Sequence, residues 1–235
     1  MRYAIYHSPQ PGSALWQRAS QWLGRDAGTG EVLTQPDAPG MPKVEFGDIT
    51  ASARRYGFHG TLKAPFRLCS GRNEHEMIEH LKVFCAMRTP FKVSMQAGSL
   101  DGFIALVPQE HSAELEQLAR EVVTEFEGFR APLSSADIAR RNPDTLSEKE
   151  RKYLSEWGYP YVFDQFRFHM TLTKRLAAEK ATLMQRFAET WFGEDLARPM
   201  VFGGVALFVE NTPETPFTLH TYVPFGKATN ERPPE

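Results

Sequence analysis

Two short stretches carry residue types that acid/base chemistry needs at a spacing that can deliver it. One reads Phe58-His59-Gly60-Thr61-Leu62 and the other Phe168-His169-Met170-Thr171-Leu172. On a β-strand, period two puts His and Thr on one face, while Phe, the middle residue and Leu turn the other way toward a core. With average residue usage, two such copies arise by accident in well under about one chain in a hundred of this length. Brought together, they set two imidazoles and two hydroxyls around one point. Two histidines flanking a phosphate can act as a general acid/base pair, because the imidazole titrates near neutrality. A neutral ring takes a proton from the attacking water or hydroxyl, and a protonated ring gives one to the leaving oxygen. The hydroxyls of Thr61 and Thr171 can donate hydrogen bonds to non-bridging phosphate oxygens, where charge builds in the transition state. This chemistry requires no metal or other cofactor.

Other candidates lie close by in sequence. Lys63 and Lys174 follow the two motifs, and Arg54, Arg55, Arg140 and Arg141 occupy flanking segments. Each could hold a phosphate, or could be a solvated surface charge. Tyr56, Tyr159 and Tyr161 could stack on a base or sugar, or could pack in the core. The substrate-binding set expected from these is Tyr56, Lys63, Arg141, Tyr161 and Lys174.

The elements that must position these groups are partly legible. Arg2 to His7 alternates as a strand, and Ser13 caps a helix that places Leu15, Trp16, Ala19, Trp22 and Leu23 on one face before Gly24. Residues 25 to 52 hold several Gly and Pro and read as a long loop. Glu74 to Met87 and His111 to Phe126 have helical periodicity. Phe91 to Ser99 and Phe103 to Val107 form strands joined at Asp101-Gly102, a tight-hairpin pair. Pro65 suggests an edge or a bulge. Residues 128 to 165 form an insert, with Ser147 and Glu150 making a capping box. Gln165 to Thr173 reads as the second His-x-Thr strand, Ala178 to Phe192 as a helix, and Met200 to Glu210 and Pro216 to Phe225 as strands. His59 lies 32 residues before Phe91, and His169 lies 32 before Val201. The halves therefore read as structural copies about a pseudo-two-fold axis, which would set the two His-x-Thr strands side by side in one cleft.

The 235 residues, 41% hydrophobic and 24% charged with a formal charge of −2, have the composition of a soluble globular protein. That charge supplies no global field for long nucleic acid, although a local basic cluster can still hold a small anion. The two cysteines, Cys69 and Cys85, read as thiols of a reduced compartment. No apolar run approaches a membrane span or a secretion signal, so a cytoplasmic protein without membrane partners is expected, and a monomer.

The paired His-x-Thr motifs on duplicated halves resemble the 2H phosphoesterase superfamily. The wider contexts, Tyr56 to Leu68 and Phe166 to Thr173, are similar to one branch of it that is often encoded with phosphonate-degradation genes. That likeness extends through Leu133-Ser134 and Trp157-Gly158-Tyr159-Pro160-Tyr161. It covers nearly the whole chain. It implies an α+β bilobal duplicated fold, with antiparallel sheets around a central groove and helices outside. It also implies His59 and His169 as acid and base, and Thr61 and Thr171 as phosphate ligands. A single domain over 1–225 with a polar, disordered tail over 226–235 is expected. The expected function is metal-independent hydrolysis of a small cyclic or 2′,5′-type phosphodiester of a nucleotide or ribose phosphate. The rivals are a groove that binds a nucleotide or RNA end without turnover, and a metal hydrolase using the histidines as ligands.

Overall fold

The computed structural model describes residues 1–226, so the tail expected over 226–235 lies almost wholly outside the described residues. In chain order the elements are β1 (Arg2–His7), α1 (Ala14–Leu23), α2 (Lys43–Tyr56), β2 (Gly60–Phe66), α3 (Glu74–Ala86), β3 (Phe91–Val93), β4 (Met95–Leu100) and β5 (Phe103–Pro108). They continue with α4 (Ala113–Glu125), α5 (Ser135–Ala139), α6 (Glu148–Trp157), β6 (Met170–Thr171), α7 (Ala178–Trp191), α8 (Gly193–Leu196), β7 (Met200–Phe202), β8 (Gly204–Glu210) and β9 (Thr218–Pro224). The architecture is α+β, and every strand pairing is antiparallel.

Seven strands form one sheet in the order β4-β5-β6-β2-β1-β8-β9, and β3 pairs with β7 in a second, two-stranded sheet. A shift of 110 residues carries His59 to His169, Gly60 to Met170 and Phe91 to Val201. The pairings obey that shift: Gly60 faces Met170, while Phe91 faces Phe202 and Lys92 faces Val201. Both sheets therefore straddle one pseudo-two-fold axis. It relates β2-β1-β8 to β6-β5-β4. In sequence terms β4 of the first half thus lies against β5, which opens the second, and β8 of the second lies against β1, which opens the first, so neither half closes its sheet alone.

Helices cover the outer face. Trp22 and Leu23 of α1, Phe46 and Ile49 of α2, and Met184 and Ala188 of α7 pack with Ile104, Leu106 and Met170 of the β4-β5-β6 half. Met77 and Leu81 of α3, and Leu118 and Val122 of α4, pack with Ile5, Leu62 and Leu207 of the other half. Burying each such side chain contributes about 1.5–3 kcal/mol.

Several sequence expectations need correction. The stretch 25–52 is not all loop. From Lys43 it is helical, with Phe46, Ile49 and Ala53 buried on one face, and the Gly/Pro-rich composition before it masked that short periodicity. The strands expected at Phe91–Ser99 and Met200–Glu210 are each broken, at Ser94 and Gly203, where the chain leaves one sheet for the other. The second His-x-Thr strand shrinks from Gln165–Thr173 to Met170–Thr171. Thr173 diverts its hydroxyl to accept from the Ile104 amide and to donate to the Lys174 carbonyl, which ends the regular ladder. Pro65, by contrast, sits at a bulge, one of the two places expected for it: β1 pairs Tyr3 with Phe66 but Ile5 with Lys63.

Candidate active site

Each histidine is fixed by its own backbone. Helix α2 stops at Gly57, whose φ of 76° is open to glycine and whose added Cβ would strike Ala27. The carbonyl of Gly57 lies 2.9 Å from His59 Nδ1. In the other copy the carbonyl of Arg167 lies 2.8 Å from His169 Nδ1. A carbonyl only accepts, so Nδ1 carries the proton in both rings and Nε2 is left as the free nitrogen. The Thr61 hydroxyl is 3.3 Å from His59 Nε2. Tyr6 lies flat on the His59 ring, with centroids 3.8 Å apart and planes at 27°. Phe103 meets His169 at 5.4 Å, tilted by 57°.

The two rings differ in setting. Burial is the main force lowering the His59 pKa, to about 4; the Gly57 bond opposes it and repulsion from His169 adds to it. Burial also lowers His169, opposed by the Arg167 carbonyl and by the negative charge of Asp101. His59 is thus the ring held more firmly neutral.

Two adjoining cavities, of about 500 and 440 Å³, share Thr61 and Tyr159 as a common wall. The first holds His59, Thr171, Tyr6, Tyr56 and Arg141. The second holds His169, Phe103, Tyr161, Arg167 and Arg175. All four His-x-Thr side chains therefore line one divided cleft. The insert builds much of its wall: Asp137, Arg140 and Arg141 on the first side, Glu150 and Gln165 on the second, and Tyr159 between. Tyr159 and Tyr161 meet edge-to-face at 5.5 Å.

Three expected cations lie elsewhere. Lys63 is buried and donates to the Val123 carbonyl at 3.0 Å and to Glu127 at 2.8 Å. Strict alternation from His59 would have brought it to the cleft, but the register slips between Ile5↔Lys63 and Tyr6↔Thr61. Leu62 and Lys63 both turn toward the helices there, and Ala64 and Pro65 both line the cavity. Lys174 is exposed and lines neither cavity; its neighbour Arg175 does, because the chain turns after Thr173. Arg54 donates to the carbonyls of Leu23 and Gly47 and so braces α1 against α2.

Sequence reasoning missed Tyr6, Arg2, Arg67 and Arg175 in the cleft. Arg67 lies on the cleft side that period two from His59 gives, because the two slips cancel, so strand periodicity could have found it; Tyr6 arrives through its pairing with Thr61, which has no local signature. Among the described residues no group of three or more His, Cys, Asp or Glu is placed to hold a metal ion, and no helix is long and apolar enough to cross a membrane.

Comparison with known proteins adds four findings. The chain is 36% identical over 230 residues to a protein of Janthinobacterium sp. (strain Marseille) named ribose 1,5-bisphosphate phosphokinase PhnN, covering 96% of this chain and 51% of that protein. It is 34% identical over 219 residues to the protein of the same name from Laribacter hongkongensis (strain HLHK9), covering 93% and 50%. The chain spans about half the length of these curated relatives. Among solved structures, E. coli LigT complexed with NADP+ aligns with a TM-score of 0.42 at 13% identity, over 96% of this chain and 98% of that one. A family model described as "Protein of unknown function (DUF1045)" matches residues 61–218, two thirds of the chain from the first His-x-Thr strand to the last strand of the sheet, and the chain belongs to that family.

Proposed function

We propose that this chain is a phosphodiesterase that opens a small cyclic phosphodiester of a ribose phosphate or nucleotide by two-histidine acid/base catalysis. The observation that carries the reading is the pair of imidazoles, each anchored through Nδ1 to the carbonyl two residues upstream and each offering Nε2 to a cleft that also holds Thr61 and Thr171.

The asymmetry of the rings supports a division of labour. His59, kept neutral by burial under Tyr6, takes the proton from the attacking water. His169, beside Asp101, gives a proton to the departing sugar oxygen. A bond forms from the water oxygen to phosphorus and the bond from phosphorus to the sugar oxygen breaks. The product is a phosphate monoester with a freed hydroxyl. Thr61 and Thr171 donate to the non-bridging oxygens. The imidazoles supply both proton transfers, so the step is expected to run in the presence of EDTA.

The name of the relatives supports a ribose phosphate as the chemistry in which such a chain takes part. Their kinase activity is a poorer fit for this chain, whose 235 residues contain no Gly-x-x-x-x-Gly-Lys-Ser/Thr phosphate loop.

The test is a hydrolysis screen, with EDTA, of 2′,3′-cyclic nucleotides, ribose cyclic phosphates and 2′,5′-linked dinucleotides. Turnover of one class is expected, with His59→Ala and His169→Ala each lowering it by at least about 100-fold. Full activity in either variant overturns the mechanism. Ligand-dependent thermal stabilisation without turnover would favour a binding groove instead.

A further inference from the structure

The first cavity holds more positive charge than a cyclic phosphodiester, which carries one negative charge, can use. Arg2, Arg55, Arg67, Arg140 and Arg141 line it, against Asp137, Glu210 and Glu214. Five guanidiniums and three carboxylates leave an excess of two positive charges on that side of the cleft.

Two of the carboxylates act as brackets. Glu210, buried, takes Arg2 in two contacts, at 2.5 and 2.9 Å, and Arg55 at 2.7 Å. Asp137 takes Arg67 at 3.0 Å on one oxygen and Arg140 on the other. The Ser134 hydroxyl and amide also bond to Asp137, at 2.6 and 3.0 Å. Burial pushes the Asp137 pKa up, but the Ser134 bonds and the two arginines outweigh it and hold it down at about 2. Each bracket is thus a fixed anion that pins two guanidiniums and neutralises only one. A guanidinium has five N–H donors, so pinned arginines keep donors to spare and lose little rotamer freedom on meeting a ligand. Arg55 Nε is buried and has no partner among the described residues.

Arg141 completes the arrangement. Its guanidinium lies 4.8 Å from the centroid of the Tyr159 ring, and it has no carboxylate partner among the described residues. Tyr159 is also the wall shared by the two cavities. The free cation therefore stands at the boundary between the arginine-rich side and the His-x-Thr groups. Asp137, Arg140, Arg141 and Tyr159 all come from the insert, while Arg2 and Arg55 come from the duplicated scaffold.

We infer that this arginine group is a second anion subsite, one that takes a phosphate monoester on the same sugar as the scissile phosphodiester. The inference rests on the phosphodiesterase reading for the scissile group, but the subsite itself is a binding claim. The charge matches, since a phosphate monoester is close to a dianion at pH 7 and the subsite has an excess of two positive charges. Planar guanidiniums suit its oxygens geometrically. A cavity of about 500 Å³ has room for a sugar bearing two phosphoryl groups. The preferred substrate is then a ribose or nucleoside cyclic phosphate that also carries a 5-phosphate.

The experiment has two arms. The first compares kcat/KM for a cyclic ribose phosphate with and without a 5-phosphate, and for a 2′,3′-cyclic nucleotide with and without a 5′-phosphate. The phosphorylated member of a pair is expected to be favoured at least about 10-fold, and the ratio should fall toward one in Arg141→Ala and in Arg67→Ala. The pair showing the larger preference names the sugar source. The second arm needs no turnover: ribose 5-phosphate should raise the melting temperature of the whole protein and of His59→Ala, but not of Arg141→Ala. Arg141→Lys keeps the charge and should retain part of the shift, which separates binding from a folding defect. Turnover with equal kcat/KM across every pair overturns the subsite and leaves the phosphodiesterase standing. No turnover, with an Arg141-dependent shift, supports the subsite while the phosphodiesterase reading falls.

Discussion

Gly60 and Met170 face each other across the bridge that joins the two halves of the large sheet, and they are the middle residues of the two His-x-Thr motifs. The pair sits on the pseudo-two-fold axis, so each flanking His and Thr is set by the same contact. The two middle residues differ because their surroundings do. The Phe168 ring occupies the space where a Cβ on Gly60 would sit, while the buried Met170 side chain belongs to the core beneath β5 and β6.

Gly60→Ala is therefore expected to push Phe168 aside and disturb His169, its neighbour in sequence. Overpacking of this kind costs about 1–3 kcal/mol, and about 2–4 °C in melting temperature per kcal/mol for a chain of this size. Activity should fall by more than stability alone accounts for at a temperature where the variant is folded. Calorimetry beside steady-state kinetics checks this; a variant with wild-type melting and wild-type turnover would show that the close approach does not matter.

The pH profile should be displaced to the acid side. His59, as base, must be neutral, which the free protein achieves above about pH 4. His169, as acid, must be protonated, and burial lowers its pKa below the usual 6.5. The product of the two fractions peaks between those limits, so kcat/KM should be greatest below pH 6.5 and fall above it. A bound phosphate anion favours imidazolium, so the falling limb of kcat should lie at higher pH than that of kcat/KM. Profiles of both parameters, with NMR titration of the two rings, decide the matter; a kcat/KM optimum above pH 7.5 would contradict the assignment.

His7 should make the fold acid-sensitive without touching the cleft. It is fully buried, stacked on Phe202 at 3.9 Å, and neither ring nitrogen has a hydrogen-bond partner among the described residues. Burial lowers its pKa to about 3, against a weaker opposing pull from the Gly204 backbone, which lies too far or too poorly aligned to count as a full hydrogen bond. Its folded pKa lies below its unfolded value, so the unfolded chain binds the proton first. Stability is complete above about pH 6.5 and falls as pH drops from there toward 3, by up to about 1.4 kcal/mol per pH unit. His7→Phe should flatten the dependence of melting temperature on pH between 6.5 and 4 and leave stability at pH 7.5 equal or higher. An unchanged slope would assign the acid sensitivity to other groups.

Lys63→Met should act on stability and not on substrate affinity. The ammonium holds the Val123 carbonyl and Glu127 beneath the sheet, and removing it leaves the carbonyl unpaired at a cost of about 1–3 kcal/mol. Chemical denaturation should show the loss, while KM for any substrate of the screen stays unchanged in the folded variant. A raised KM would return Lys63 to the binding site.

The amino-acid sequence determined the parts of this protein that local spacing can encode. Two His-x-Thr runs, the Asp101-Gly102 hairpin and the Ser147–Glu150 capping box are all short-range patterns. Backbone period and side-chain reach fix them before any long-range contact forms. What the tertiary structure decided is which side each residue of a strand faces once bulges intervene, and which distant segments meet. One register slip against β1 sends Lys63 into the core, and a second restores the alternation, so that Arg67, four residues on, faces the cleft as His59 and Thr61 do. Tyr6 reaches His59 only because β1 lies beside β2, and Arg141 reaches the His-x-Thr groups only because the insert folds back over them. Strand pairing between residues far apart in the chain has no local periodicity to announce it, so the arginine brackets and the aromatic cover of the two histidine rings emerge only when the two halves close on their shared axis.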